Sequence, residues 1–213
     1  MSATTEKPAH GTWELAVLSC LSEKPMHPYE IQRLLRQRRK DEVLVLKRGS
    51  LYHAIKRLLA SEFIEAIATT RDSLRPERTT YRITPTGEQA LISWLREMIA
   101  VPRRETSEFT ASISFLVHLT PPDAIMQLEE RARRLEAEVA AIGVVISGAI
   151  ARVMRINLLE SEYLRAMLEA ERQWVRGLVD DLRRGRLTWN LREMLANVHS
   201  AKPPKHRTKE SKS

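Results

Sequence analysis

Apolar residues recur at helical spacing in two blocks of the chain, and between the blocks' short helices lies one stretch where they alternate. In the first block Leu15, Val17, Leu18 and Leu21 define one side of a helix that Thr12 is placed to cap. Lys24-Pro25-Met26-His27 breaks that pattern. Pro28 suits the first position of a second helix, where an amide would have no partner, and Tyr29, Ile31, Leu34 and Leu35 give its expected inward stripe. A third short helix follows from Ser50. Leu51, Ile55, Leu58 and Leu59 fall on one face of it, which leaves Ser50, Tyr52, His53, Lys56 and Arg57 pointing outward. The period then shortens to two. Residues 63–70 are β-branched and aromatic with no helix cap, residues 71–78 read as a polar turn around Pro76, and 79–84 is the return strand, with Tyr81 and Ile83 alternating against Thr80 and Arg82. Thr84-Pro85 then provides the cap and first residue of a fourth helix striped by Leu91, Trp94, Leu95 and Met98.

The order helix, helix, helix, strand, strand, helix predicts a winged helix-turn-helix over residues 12–100, preceded by a flexible N-terminus at 1–11. Val101-Pro102-Arg103-Arg104 reads as a boundary. Beyond it, Phe109 to Leu119 is a short apolar helix ended by Pro121-Pro122, and a long periodic segment follows. Ile125, Leu128, Ala132, Leu135, Val139, Ile142, Ile146 and Ala149 alternate steps of three and four, the heptad seam of a coiled coil. A second seam runs through Leu164, Leu168, Glu171, Val175, Leu178 and Leu182, interrupted by its glutamate and ended near Gly185. The join around Ser147-Gly148 is not fixed by the pattern. Two seams can close on each other within one chain. Two or three long helices would not also bury Tyr163, Met167 and Trp174, so an α-helical, coiled-coil-like dimerisation domain over 103–186 is the preferred expectation. A short extension at 187–198 and a disordered basic tail at 199–213 complete the division. The fold class expected is mainly α.

Composition changes this picture in one respect. With 213 residues and 43% apolar content the chain has ample material for a core, and its net charge is +8. The surplus is uneven: it is +4 over residues 1–100, zero over 101–198 and +4 over 199–213. A neutral middle between basic ends suits a nucleic-acid binder whose central part self-associates, although a basic surplus also simply aids solubility. Residues 33–57 carry nine basic and two acidic side chains, a positive field around the third helix or a solvated face. No apolar run approaches a membrane span, and Met1 to His10 lacks the apolar centre of a signal peptide, so a cytoplasmic location and no membrane partner are expected. Cys20 is single and sits among apolar residues, which favours a small buried hydrophobe over a reactive thiol. The histidines are scattered, no paired cysteines occur, and no phosphate loop or nucleophile motif stands out; neither metal, cofactor nor enzymatic activity is expected.

Several pieces in fixed order then carry a resemblance: Met26-His27-Pro28-Tyr29-Glu30-Ile31, Gly49-Ser50-Leu51-Tyr52, Arg57-Leu58, Arg75-Pro76-Glu77-Arg78-Thr79-Thr80-Tyr81-Arg82-Ile83-Thr84 and Gly87. Together they make the sequence resemble the PadR family of bacterial transcriptional regulators, in particular the longer members with an α-helical C-terminal dimerisation domain. The resemblance implies a homodimeric repressor on a roughly palindromic double-stranded DNA operator, released in some relatives by phenolic acids or hydrophobic drugs. A small aromatic or phenolic effector is therefore an expected partner, and its binding residues are not assigned. The resemblance also implies that Gly49, Ser50, Tyr52 and the wing arginines lie at the DNA. Two departures stand out: His53 where many relatives have proline, and Glu62 where relatives often have a helix-ending glycine, which would strain a left-handed turn.

The DNA-contacting set expected is Arg48, Gly49, Ser50, Tyr52, His53, Lys56, Arg57, Arg71, Arg75 and Arg78. Ser50 and Tyr52 are assigned to phosphates; the competing role for Tyr52 is an aromatic lid on the core. His53 and Lys56 are candidates for base edges or for a solvated face, Arg57 for either phosphate or base, and Arg71, Arg75 and Arg78 for the flanking backbone or minor groove. A protein-interaction module built on a winged-helix scaffold and coiled coil is the competing function.

Overall fold

The computed structural model of the chain describes residues 11–40, 50–72, 75–103 and 107–200; of residues 68–72, 75–78 and 196–200 it describes the backbone alone. Two units divide between Arg104 and Glu105. The first contains α1 (Thr12–Leu21), α2 (Pro28–Gln37), α3 (Ser50–Ala60), β1 (Ile64–Asp72), β2 (Arg75–Ile83) and α4 (Pro85–Ala100). The second contains α5 (Glu108–Ser114), a 3-10 turn at Leu116–His118, α6 (Pro121–Ala149), α7 (Leu159–Arg183) and α8 (Leu191–Ser200).

In the first unit Val17, Leu18 and Leu21 of α1 pack with Ile31 and Leu35 of α2 and with Leu51, Ala54, Ile55 and Leu58 of α3, while Ile64 and Ile83 close the floor from the two strands. The expected stripe on α3 holds, and that on α1 holds for Val17, Leu18 and Leu21, while Leu15 is half-buried and outside this cluster. On α2 the buried positions are Pro28, Ile31 and Leu35, and Tyr29 is a correction: it points outward at 65% exposure. An inward face recurring at steps of three and four places position 29 off the stripe, whatever its hydrophobicity. The first cap is also different. Thr12 is the first helical residue, and Gly11 is the cap, its amide donating to Glu14 Oε2 at 3.1 Å. On α4 the Thr84 side chain accepts from Gly87 N as expected, Leu91 and Trp94 pack on the core, and Leu95 is exposed.

The wing is longer than the alternation suggests. Residues 71–78 are not all turn: β1 continues to Asp72 and β2 begins at Arg75, with Asp72 opposite Arg75 and Thr70 opposite Arg78. The antiparallel ladder tolerates the arginines and the proline because both strands of a two-stranded sheet are edge strands, in which alternate amides need no ladder partner. Irregular steps in the register fall between Ala66 and Ala68 and between Thr70 and Asp72.

In the second unit Thr120 caps α6 and Pro121 is its first residue, so the proline pair starts a helix as well as ending the one before it. Ala124, Leu128, Ala132 and Leu135 of α6 meet Val175, Val179 and Leu182 of α7. Glu129 pairs with Arg183 and Glu136 with Arg176, the latter at 3.0 Å, so the partners run in opposite sense along the two helices, which are therefore antiparallel; Arg131 also pairs with Glu171, at 2.5 Å. The seams thus close on each other within the chain over this half of the hairpin. Glu171 does not break the seam; it forms its edge by pairing with Arg131. Towards the connection the packing opens. Val139, Ile142 and Ile146 are half-buried, Leu164 is exposed, and α6 ends at Ala149, just past the ambiguous Ser147-Gly148. The segment expected as a plain extension at 187–198 includes α8, and Trp189 before it donates Nε1–H to the Leu119 carbonyl at 2.8 Å. Residues 201–213, most of the expected tail, lie outside the described residues, as do 1–10.

Candidate DNA-binding surface

Helix α3 presents the expected outward face. Leu51, Ala54, Ile55 and Leu58 anchor it inward, and Tyr52, His53, Lys56 and Arg57 are all exposed. Tyr52 at 64% exposure is not a lid on the core. Ser50 is the first helical residue and is half-buried; Arg48 and Gly49 lie outside the described residues.

The end of α3 is fixed by backbone bonds. Phe63 N donates to Leu58 O and Glu62 N to Leu59 O, both at 3.0 Å, the paired bonds of a Schellman motif. That motif needs a left-handed residue at Glu62, and φ there is 57°. The strain expected from a side chain at this position is therefore present, on the order of 1 kcal/mol. Phe63 then turns back onto the core, edge to face with Trp94 at 5.4 Å between ring centroids. The same turn is clamped from the start of α4. Thr84 N donates to Phe63 O at 3.0 Å and Thr84 Oγ1 to Glu62 O at 2.8 Å. Gly87 comes so close that a Cβ there would stand 2.0 Å from Phe63 O. Only glycine permits this approach, which gives the glycine of the resemblance motif a physical reason.

The wing is tied back in a similar way. Met26 N donates to Tyr81 O and Tyr81 N to Met26 O, each at 3.0 Å, so the link between α1 and α2 acts as a one-residue third strand. Arg82 is held by Glu65 across the ladder, Nη2 to Oε1 at 2.6 Å. It is thus a structural partner of the opposite strand. Arg71, Arg75 and Arg78 lie on the β1 and β2 backbone towards the outer end of the ribbon; their side chains lie outside the described residues.

Helix α2 begins with a capping box. His27 Nδ1 accepts from Tyr29 N at 3.1 Å and the His27 amide donates to Glu30 Oε2 at 2.9 Å. Its far end is tied down by Arg38 on Glu23, which holds the Glu23 carboxyl below its usual range. The exposed Tyr29 is a feature the hydrophobic pattern concealed, because tyrosine satisfies both an apolar stripe and a wet surface. Cys20 is buried, and burial pushes its thiol up to about 11. Among the described residues no cluster of three or more His, Cys, Asp or Glu could hold a metal ion, and no helix is long and apolar enough to cross a membrane.

Three helices, a two-stranded wing and a closing helix, with a polar and basic face on the third helix, define a winged helix-turn-helix of the kind that docks on DNA. Residues 17–93 match the model of the transcriptional regulator PadR-like family. Among solved structures, Bacillus subtilis PadR in complex with operator DNA is similar at 18% identity and TM-score 0.66, over 81% of this chain and 99% of that one. Bacillus subtilis PadR in complex with p-coumaric acid is similar at 16% identity and TM-score 0.64, over 79% and 97%. The PadR-like regulator BC1756 from Bacillus cereus is similar at 15% identity and TM-score 0.54, over 82% and 99%. At these identities the likeness is one of fold. None of the curated proteins matches the chain.

Proposed function

We propose that the protein is a dimeric, sequence-specific transcriptional repressor of the cytoplasm that binds a roughly palindromic operator and is released by a small aromatic or phenolic effector. The observation that carries the DNA reading is the outward face of α3, where Tyr52, His53 and Lys56 stand exposed above a fully anchored inner face. Two such helices, one per protomer, would enter successive major grooves about 34 Å apart. Ser50 and Tyr52 contact phosphate in this reading, with Arg48 and Gly49 at the approach to the helix; His53 and Lys56 reach base edges. Arg71, Arg75 and Arg78 follow the flanking backbone from the wing. Arg57 shares the α3 face, but its guanidinium is held by Glu14. Structures of a fold relative with operator DNA and with p-coumaric acid support both partners as classes.

The second unit supplies the pairing of protomers. Val144, Ile150, Met154, Ile156, Tyr163 and Met167 stand exposed on and beside the α6–α7 connection, apolar surface of the kind that marks an interaction site. Such a surface favours self-association over the reading of an interaction module with a passive winged helix, as does the basic character of residues 33–57.

Selection of bound fragments from a random DNA pool, followed by sequencing, tests the function. A recovered motif with two half-sites about one helical turn apart is expected. Recovery of fragments with no shared motif would leave only non-specific DNA attraction. With an operator in hand, Arg75→Ala should weaken binding to all sequences and reduce the salt slope by about 0.9 per half-site, whereas Lys56→Ala should change which operator variants are preferred.

A further inference from the structure

Among the described residues Glu14 is the buried charged side chain, 4% exposed within α1. A carboxylate taken out of water is costly unless it is paired and hydrogen-bonded. Two groups meet that need. The Gly11 amide donates to Oε2 at 3.1 Å, and Arg57 of α3 directs both Nε and Nη2 at Oε1. The Arg57 side chain is 62% exposed, so the pair is buried on its acidic side and open on its basic side. Residue 57 lies one helical turn beyond His53 and next to Lys56, on the face assigned to DNA.

We propose that Arg57 is a positioning residue and not a reader: Glu14 keeps its guanidinium against α1 while DNA is bound, which fixes the rotation of α3 about its own axis and hence the aim of Tyr52, His53 and Lys56. The inference rests on the DNA-binding reading above. Two guanidinium nitrogens converge on one carboxylate oxygen, an arrangement that a phosphate contact would have to break. If Arg57 moved to a phosphate, it would leave Glu14 buried and unpaired, and the loss from a buried charge exceeds what one screened phosphate contact returns. An exposed arginine on a recognition helix therefore contributes orientation, with its charge already neutralised.

Operator binding by the full-length protein as a function of salt tests the assignment, using Glu14→Gln, Arg57→Gln and the double variant. Arg57→Gln is expected to weaken binding at every salt concentration with the wild-type slope and the wild-type ranking of operator variants. Glu14→Gln frees the guanidinium, and the slope is expected to steepen by about 0.9 per half-site; the double variant returns to the wild-type slope. A flatter slope or altered base preference for Arg57→Gln would overturn the proposal, because the residue would then be contacting phosphate or base in the complex. An unchanged slope for Glu14→Gln would also overturn it. Thermal unfolding without DNA provides an independent arm. Arg57→Gln leaves a buried carboxylate unpaired and should lower the melting temperature by about 5 °C or more, while the double variant, with no charge left to bury, recovers most of that loss. Strictly additive losses would refute the latch even if the wild type bound no DNA at all, whereas absence of DNA binding alone would refute only the function.

Discussion

At the scale of single residues, two backbone positions at the end of α3 make opposite demands. Glu62 occupies a left-handed conformation that a glycine would adopt without strain, so Glu62→Gly should stabilise the first unit by about 1 kcal/mol, read from denaturant unfolding. A neutral or destabilising result would mean that the Glu62 side chain makes compensating interactions. Gly87 has the reverse constraint. Its Cα faces the Phe63 carbonyl so closely that Gly87→Ala must push α4 away from the turn, at an expected cost on the order of 3 kcal/mol. The two residues belong to one joint, since Thr84 and Thr86 both bond the Glu62 carbonyl, so their effects should not be additive. The strain at Glu62 was expected from the resemblance, whose members often carry a helix-ending glycine at this position. The reason for Gly87 was not, because the carbonyl it meets comes from residue 63.

Among the elements, α6 and α7 show how far a heptad pattern reaches. The seam correctly marked Leu128, Ala132, Leu135, Val175 and Leu182 as inward, yet it counted Leu164 as buried and passed over Val179. Periodicity reports which side of a helix is apolar, while the partner helix decides how wide the covered stripe is and where it stops. Truncating a residue in the closed half should therefore be expensive: Leu135→Ala is expected to lose about 2–4 kcal/mol of stability, measured by denaturant unfolding. A loss below about 1 kcal/mol would mean that the two helices do not pack tightly there. The wing teaches a similar lesson. Arginines and a proline read as turn, but backbone pairing at the end of a ribbon needs only the alternate amides, so the strands ran through them.

For the whole molecule, the proposed dimer makes a prediction about the open half of the hairpin. Met154 and Ile156 stand 73% and 67% exposed at the α6–α7 connection and take no part in the core of their own unit. Replacing both with glutamate should shift the sedimenting species from dimer to monomer at micromolar concentration while leaving the unfolding midpoint of the monomeric unit little changed. It should also weaken operator binding strongly, because a single winged helix retains one half-site only. A wild-type chain that sediments as a monomer would refute the dimer and the palindromic operator together.

The sequence by itself determined the element order over residues 12–100 and the inward and polar outward faces of α3, because these follow from local periodicity and charge. Tertiary structure decided the rest. It placed Gly87 beneath the Phe63 carbonyl, brought Met26 onto Tyr81, and drew Arg57 onto a glutamate 43 residues earlier in the chain. Each of these depends on a partner distant in sequence, and a burial or pairing that distant neighbours create leaves no mark on the local pattern of the residue it governs.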